Sequence, residues 1–137
     1  MARIIVNGNE AVFGRMASYV AKELLKGNSV EVINCESVIF SGKLNLTAEK
    51  ILAKIKMGQG ASLKGPKYIR SEDRLLKRMI RGMLPWDRPK GREAYKRLRC
   101  HIGAGDLNDK DLKGIKKFEH KKPMKHFTIK ELVGRIK

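Results

Sequence analysis

The chain has 137 residues, 42% of them hydrophobic, and sets 31 lysines and arginines against 14 acidic residues, a formal net charge of +17. That length hides roughly two-thirds of the unfolded surface around one core, and the periodic aliphatic residues exclude a disordered basic tail. So large a charge calls for a polyanion, nucleic acid first; a membrane surface is set aside because no lipidation signal accompanies the basic cluster.

Residues 1–10, "MARIIVNGNE", hold too short an apolar run for a signal peptide, and no stretch approaches the length of a membrane span, so a cytosolic protein is expected. The runs "RIIVN" (3–7) and "SVEVINCE" (29–36) are short, rich in Val and Ile, and bounded by Gly or Asn, as strands are. Between them, Met16, Val20 and Leu24 recur beside Ala17, Ala21 and Leu25, one apolar helical face over 14–26 that Gly27 terminates. A third strand is expected within "SVIFSG" (37–42). A second helix follows, with Thr47 as its cap and Ala48, Ile51, Leu52 and Ile55 at helical spacing. This alternation predicts a parallel sheet with helices on both faces, to which "RCHIG" (99–103) adds a strand.

Residues 56–70, with three glycines and a proline, read as an exposed loop. From 64 to 99 the chain carries thirteen basic against four acidic residues, whereas 1–63 carry eight against five. Ser71 caps a predicted helix whose inner side is Leu75, Leu76, Met79, Ile80 and Met83 and whose outer side is Arg74, Lys77, Arg78 and Arg81. Gly82 allows the helix to end, and Pro85 and Pro89 bracket Trp86 in a corner. After Gly91 a second basic helix is expected, with Ala94, Tyr95 and Leu98 inward and Arg92, Lys96, Arg97 and Arg99 on the perimeter. A charge run is ordinarily a solvated helix face, but here acidic partners at i,i+4 spacing are too few to relieve the repulsion. Eight of the thirteen are arginine, whose planar fork pairs phosphate oxygens, while nine of the ten basic residues after position 100 are lysine. The first set reads as a site and the second as diffuse attraction. Trp86, the sole tryptophan, reads as a packing residue more readily than as a base-stacking one. Near the end, Thr128 and Glu131 form a capping-box pattern ahead of Ile129, Leu132, Val133 and Ile136, a docked helix over about 128–136.

Chemistry finds little purchase. Five residues, not four, separate Gly8 from Gly14, and Arg15 and Met16 follow, so the phosphate-loop pattern fails. "GQGASL" (58–63) and "GAGDLN" (103–108) lack the third glycine of a dinucleotide fingerprint. Arg15, at the start of the first helix, is still placed to hold one phosphate of a larger ligand. Cys35, Cys100, His101, His120 and His126 lack metal-ligand spacing, and the deaminase signature is missing. Cys100 and His101, adjacent in a strand, point to opposite faces and make a poor nucleophile and base. The two cysteines read as buried reduced thiols.

"GRMASYVAKELLKG" followed by "VEVINCESVIFSGK", then "GPKYIRSEDRLLKRMIRGMLPW" running into "KGREAYKRLR", resembles the universal large-subunit ribosomal protein thirteen family from about Arg3 to about Gly105, most sharply at "RGMLP" (81–85). The short N-terminus and the loop at 58–67 resemble its archaeal and eukaryotic branch. The resemblance implies an α/β fold, a three-layer α/β/α domain with a mainly parallel four-stranded sheet and a basic helical extension, as one domain over 1–137. It further implies a non-enzymatic structural constituent of the large ribosomal subunit in the cytoplasm, bound to large-subunit rRNA and neighbouring ribosomal proteins, with no cofactor, metal, membrane or small-molecule substrate. The residues expected to contact RNA are Arg15, Lys64, Lys67, Arg70, Arg74, Lys77, Arg78, Arg81, Arg88, Lys90, Arg92, Lys96, Arg97 and Arg99. Two rivals differ in what they need: an RNA-modifying enzyme requires a cofactor pocket at the strand ends, and a DNA-compacting protein requires comparable affinity for duplex DNA and folded RNA.

Overall fold

The structure, a computed structural model, describes residues 1–58, 60, 64–105 and 114–137. Strand β1 (Arg3–Asn7) runs parallel to β2 (Ser29–Ile33), with Val6 opposite Val32. The loop 8–12 and helix α1 (Phe13–Leu25) connect them. Met16, Ala17, Val20, Ala21 and Leu24 of α1 are buried, so its apolar face lies on the sheet, as the spacing predicts. Gly27 follows at φ +102°, a backbone conformation glycine adopts without Cβ strain. Ile5 and Val6 are consecutive and both buried; because successive residues point to opposite faces, the sheet is covered on both sides.

Here the architecture departs from one four-stranded, mainly parallel sheet. The predicted 29–36 strand stops at Ile33, because Asn34 takes a left-handed conformation (φ +53°) and Cys35–Ser37 form a 3-10 turn. That turn redirects β3 (Ile39–Ser41), which pairs antiparallel with β5 (His126–Thr128) in a separate two-stranded sheet. Phe40 sits opposite Phe127, and the Phe13 and Phe127 rings both stack against Phe40, with centroids at 4.6 and 5.8 Å. Strand β4 (Leu98–Cys100) completes a three-stranded parallel sheet of order β1-β2-β4, with Leu98 opposite Val30.

Helix α2 (Leu44–Lys56) begins before the expected cap. Thr47 lies inside it, its hydroxyl donating to the Lys43 carbonyl at 3.3 Å, while Ala48 and Ile51 are buried. Of the loop expected over 56–70, residues 59 and 61–63 lie outside the described residues; Gly65 closes on Met57, where a Cβ would stand 1.7 Å from the Met57 carbonyl oxygen. Helices α3 (Glu72–Arg81) and α4 (Pro89–Lys96) carry the basic segment, and α3 packs on β4 and on the 3-10 turn. Helix α5 (Ile129–Ile136) buries Ile129, Leu132, Val133 and Ile136 and packs against α2 and α3. Its capping box is formed: the Thr128 hydroxyl accepts from the Glu131 amide at 3.3 Å, and the Glu131 carboxylate accepts from the Thr128 amide at 3.0 Å.

Cys35 and Cys100 are free thiols. Contact with the Cys100 thiol and burial push the Cys35 thiol strongly upward, so it stays protonated and inert. Among the described residues no three of His, Cys, Asp and Glu gather as a metal site, and no helix is long and apolar enough to cross a membrane.

Candidate nucleic-acid interface

Leu75, Leu76 and Ile80 of α3 are fully buried and Met79 partly so, which turns Arg74 and Arg78 outward. Met83 departs from the expected inner side. The chain tightens after Arg81 through bonds from the Met83 amide to Ile80 and from the Leu84 amide to Arg81, which puts Leu84 in the core and leaves Met83 41% exposed. At the other end, Ser71 occupies the cap position but bonds the Asp73 carboxylate rather than a backbone amide. Burial pushes the Asp73 carboxyl up, but the Ser71 hydroxyl and the amides of Arg74 and Asp73 together hold it below its ordinary value.

Helix α4 starts at Pro89 rather than after Gly91. A proline at the first helical position loses no intrahelical bond, so the residue that closes the corner also opens the helix. Gly91 is buried beneath that corner. The Arg92 guanidinium ties the corner from outside, its Nε donating to the Trp86 carbonyl at 3.0 Å.

Aromatic residues organise the cations between the two helices. The Lys77 ammonium lies 5.0 Å from the Tyr95 ring centroid and the Arg81 guanidinium 4.8 Å from that of Trp86. The Trp86 and Tyr95 rings meet edge-on at 5.2 Å. Trp86 thus departs from the core-packing role expected of it: it is 38% exposed, touching Tyr95 edge-on and carrying a guanidinium on its ring. The aromatics interleaved with the basic run are the signal for this arrangement, but their pairing with positions four apart on α3 appears only in the fold.

Lys64, Lys67 and Arg70 are exposed on the segment leading into α3; Arg88, Lys90, Arg92 and Lys96 are exposed on and before α4. Arg74, Lys77 and Arg99 line one cleft of about 280 Å³. Lys96, Arg97 and Arg99 line a second of about 410 Å³, so Arg99 connects the two helices' charges. Two of the fourteen stand apart. Arg97 turns inward from the perimeter expected for it, its Nη2 donating at 2.9 Å to the Leu24 carbonyl at the end of α1, which also accepts from the Gly27 amide at 3.1 Å. Arg15 lies at the other end of α1, with Nη1 3.2 Å from Nδ1 of His120.

Among the described residues none of the fourteen is bridged to a carboxylate. The ion pairs join Arg3 to Glu31, Lys26 to Glu23 and Lys122 to Glu10, and the His101 ring lies 3.7 Å from the Glu31 carboxylate. An outward guanidinium without an internal counterion keeps its full capacity for phosphate oxygens.

A family model described as Ribosomal protein L13 matches residues 2–106. The chain is 48% identical over 100 residues to the large ribosomal subunit protein uL13 of Methanopyrus kandleri, an alignment that covers 73% of this chain and 62% of that protein. It is 40% identical over 103 residues to its counterpart in Methanococcus maripaludis, covering 74% of this chain and 75% of that one. To the Methanocaldococcus jannaschii protein of the same name it is 35% identical over 131 residues, covering 93% of each.

Proposed function

The chain belongs to the ribosomal protein L13 family, a non-enzymatic one, and from that premise we propose that it is a structural constituent of the large ribosomal subunit which binds large-subunit rRNA through α3, the corner after it and α4. Its place is the cytoplasmic ribosome, among neighbouring ribosomal proteins. The three-layer α/β/α arrangement belongs to the same reading and is supported by a parallel sheet buried on both faces.

The observation that carries the proposal is the lack of internal counterions. Thirteen basic residues between 64 and 99 meet no carboxylate bridge among the described residues; Arg97 is engaged by the Leu24 carbonyl and Arg92 gives its Nε to that of Trp86, while the others are available to an outside polyanion. Phosphate is the natural partner, because arginines dominate the set and their forks match its geometry. RNA is favoured over duplex DNA because the surface is two helices around a stiff corner, a shape to be matched by a folded partner.

The test is charge reversal where no packing is at stake. Arg74→Glu with Arg78→Glu should leave the fold intact. It should lower the slope of log affinity for rRNA against log salt by about one per contact removed, and should exclude the variant from large subunits. Normal incorporation of a folded variant would overturn the assignment of this surface.

A further inference from the structure

Residues 114–125 lie beyond the segment that the family model matches, yet they follow a defined course over the described structure. The Lys116 amide donates to the Ile5 carbonyl and the Asn7 amide donates to the Lys116 carbonyl, both at 2.9 Å, in a parallel bridge opposite Val6. Since β1 is an outer strand of the order β1-β2-β4, this strap runs along the sheet edge opposite β4 and α3.

The strap is fastened to the first half of α1. The Lys116 ammonium stands 4.1 Å from the Tyr19 ring centroid, Phe118 meets Tyr19 edge-on at 5.4 Å, and His120 meets Arg15. Arg15 thereby belongs to this surface; nine residues of helix, about 14 Å along the axis, separate it from Leu24, where Arg97 docks.

Residues 116–125 hold five lysines against one glutamate. Among the described residues only Lys122 of the five is bridged to a carboxylate, that of Glu10 at 2.7 Å. Between strap and strand end lies a cleft of about 430 Å³ lined by Asn7, Asn9, Lys117, Phe118 and His120. Glu10 and Glu119 reach it too, Glu10 already neutralised by Lys122.

We propose that the strap and the first half of α1 form a second RNA-contacting face, so that this chain joins two separate segments of RNA across its sheet, with one unpaired nucleotide seated in the cleft. Side-chain amides and carboxylates bond base edges, the Phe118 and His120 rings offer stacking surfaces, and the lysines neutralise the flanking phosphates. An acidic protein surface would answer the lysines but make no use of the exposed Asn9 amide and His120 ring. The proposal rests on the chain being RNA-bound through α3 and α4.

A photo-crosslinking amino acid placed singly at Lys90 or at Lys121, both exposed, tests it in large subunits purified from cells expressing each variant. Both positions should mark RNA, in two segments not adjacent to one another, and adding Lys117→Glu to the Lys121 probe should abolish its mark while the same change leaves the Lys90 mark in place. RNA from Lys90 with only protein, or nothing, from Lys121 overturns this inference alone, as does marking of one and the same segment. Failure of the Lys90 probe to mark RNA overturns the proposed function as well.

Discussion

Arg97 and Leu24 are joined through a single charged hydrogen bond: the guanidinium of a residue in the basic segment donates at 2.9 Å to a carbonyl at the end of α1. A cation there also opposes the negative end of the helix dipole. Arg97→Ala should therefore cost about 2 kcal/mol of stability, measured by urea denaturation, while the salt slope of RNA affinity stays that of the parent chain. A lowered slope with unchanged stability would return Arg97 to the binding surface.

Gly91 makes the corner possible. A Cβ there would lie 2.0 Å from the Pro85 carbonyl oxygen and 2.5 Å from its carbon, both backbone atoms that cannot rotate away. Gly91→Ala should destabilise the chain by about 1–3 kcal/mol and, by displacing α4 from Trp86, weaken RNA binding more than its loss of stability explains. Native stability in this variant would show that the corner yields.

Thr128 and Glu131 start α5 by exchanging side-chain and backbone bonds. Replacing Thr128 with alanine frees the Glu131 amide, and the expected cost is about 1 kcal/mol, read as a shift of the denaturation midpoint with an unchanged m-value. Because α5 packs on α2 and α3, amide exchange should accelerate in those helices too.

Glu23 gives the fold an acid limb. The Lys26 ammonium and the Asn28 amide hydrogen-bond its carboxylate at 2.7 and 2.9 Å and hold its pKa below the ordinary value. A carboxyl with a depressed folded pKa adds stability that is complete above its ordinary value near 4.5 and is lost as pH falls through the folded one. Glu23→Gln should then lower stability at pH 7 and converge on the parent chain as pH falls through the folded pKa, in paired denaturation curves. Parallel curves across that range would remove Glu23 from the account.

The sequence made the helices legible and the strand partnerships much less so. Met16, Val20 and Leu24 announce α1, and Thr128 with Glu131 announces α5, because a helix is written in contacts three and four residues apart. Nothing local distinguishes a strand that joins β2 from one that joins β5. Ile39–Ser41 is three residues long, and the turn that diverts it depends on one asparagine in a left-handed conformation. The basic face of α3 was legible for the same helical reason, whereas the fate of Arg97 was not: its partner lies 73 residues away in sequence. The position of Arg15 at a helix start is legible in the sequence, but only the folded strap brings His120 beside it.

Scarcity of internal counterions has a consequence for the protein before it meets any partner. Its guanidinium groups repel one another across the α3 and α4 surface, and added electrolyte, by shortening the range of that repulsion from about 10 Å at 0.1 M to about 3 Å at 1 M, steadies the lone chain. The same electrolyte loosens a complex held by phosphate contacts. On the proposed reading, newly made copies are thus most fragile under the dilute conditions in which their grip is strongest, and binding to the polyanion would complete their stability.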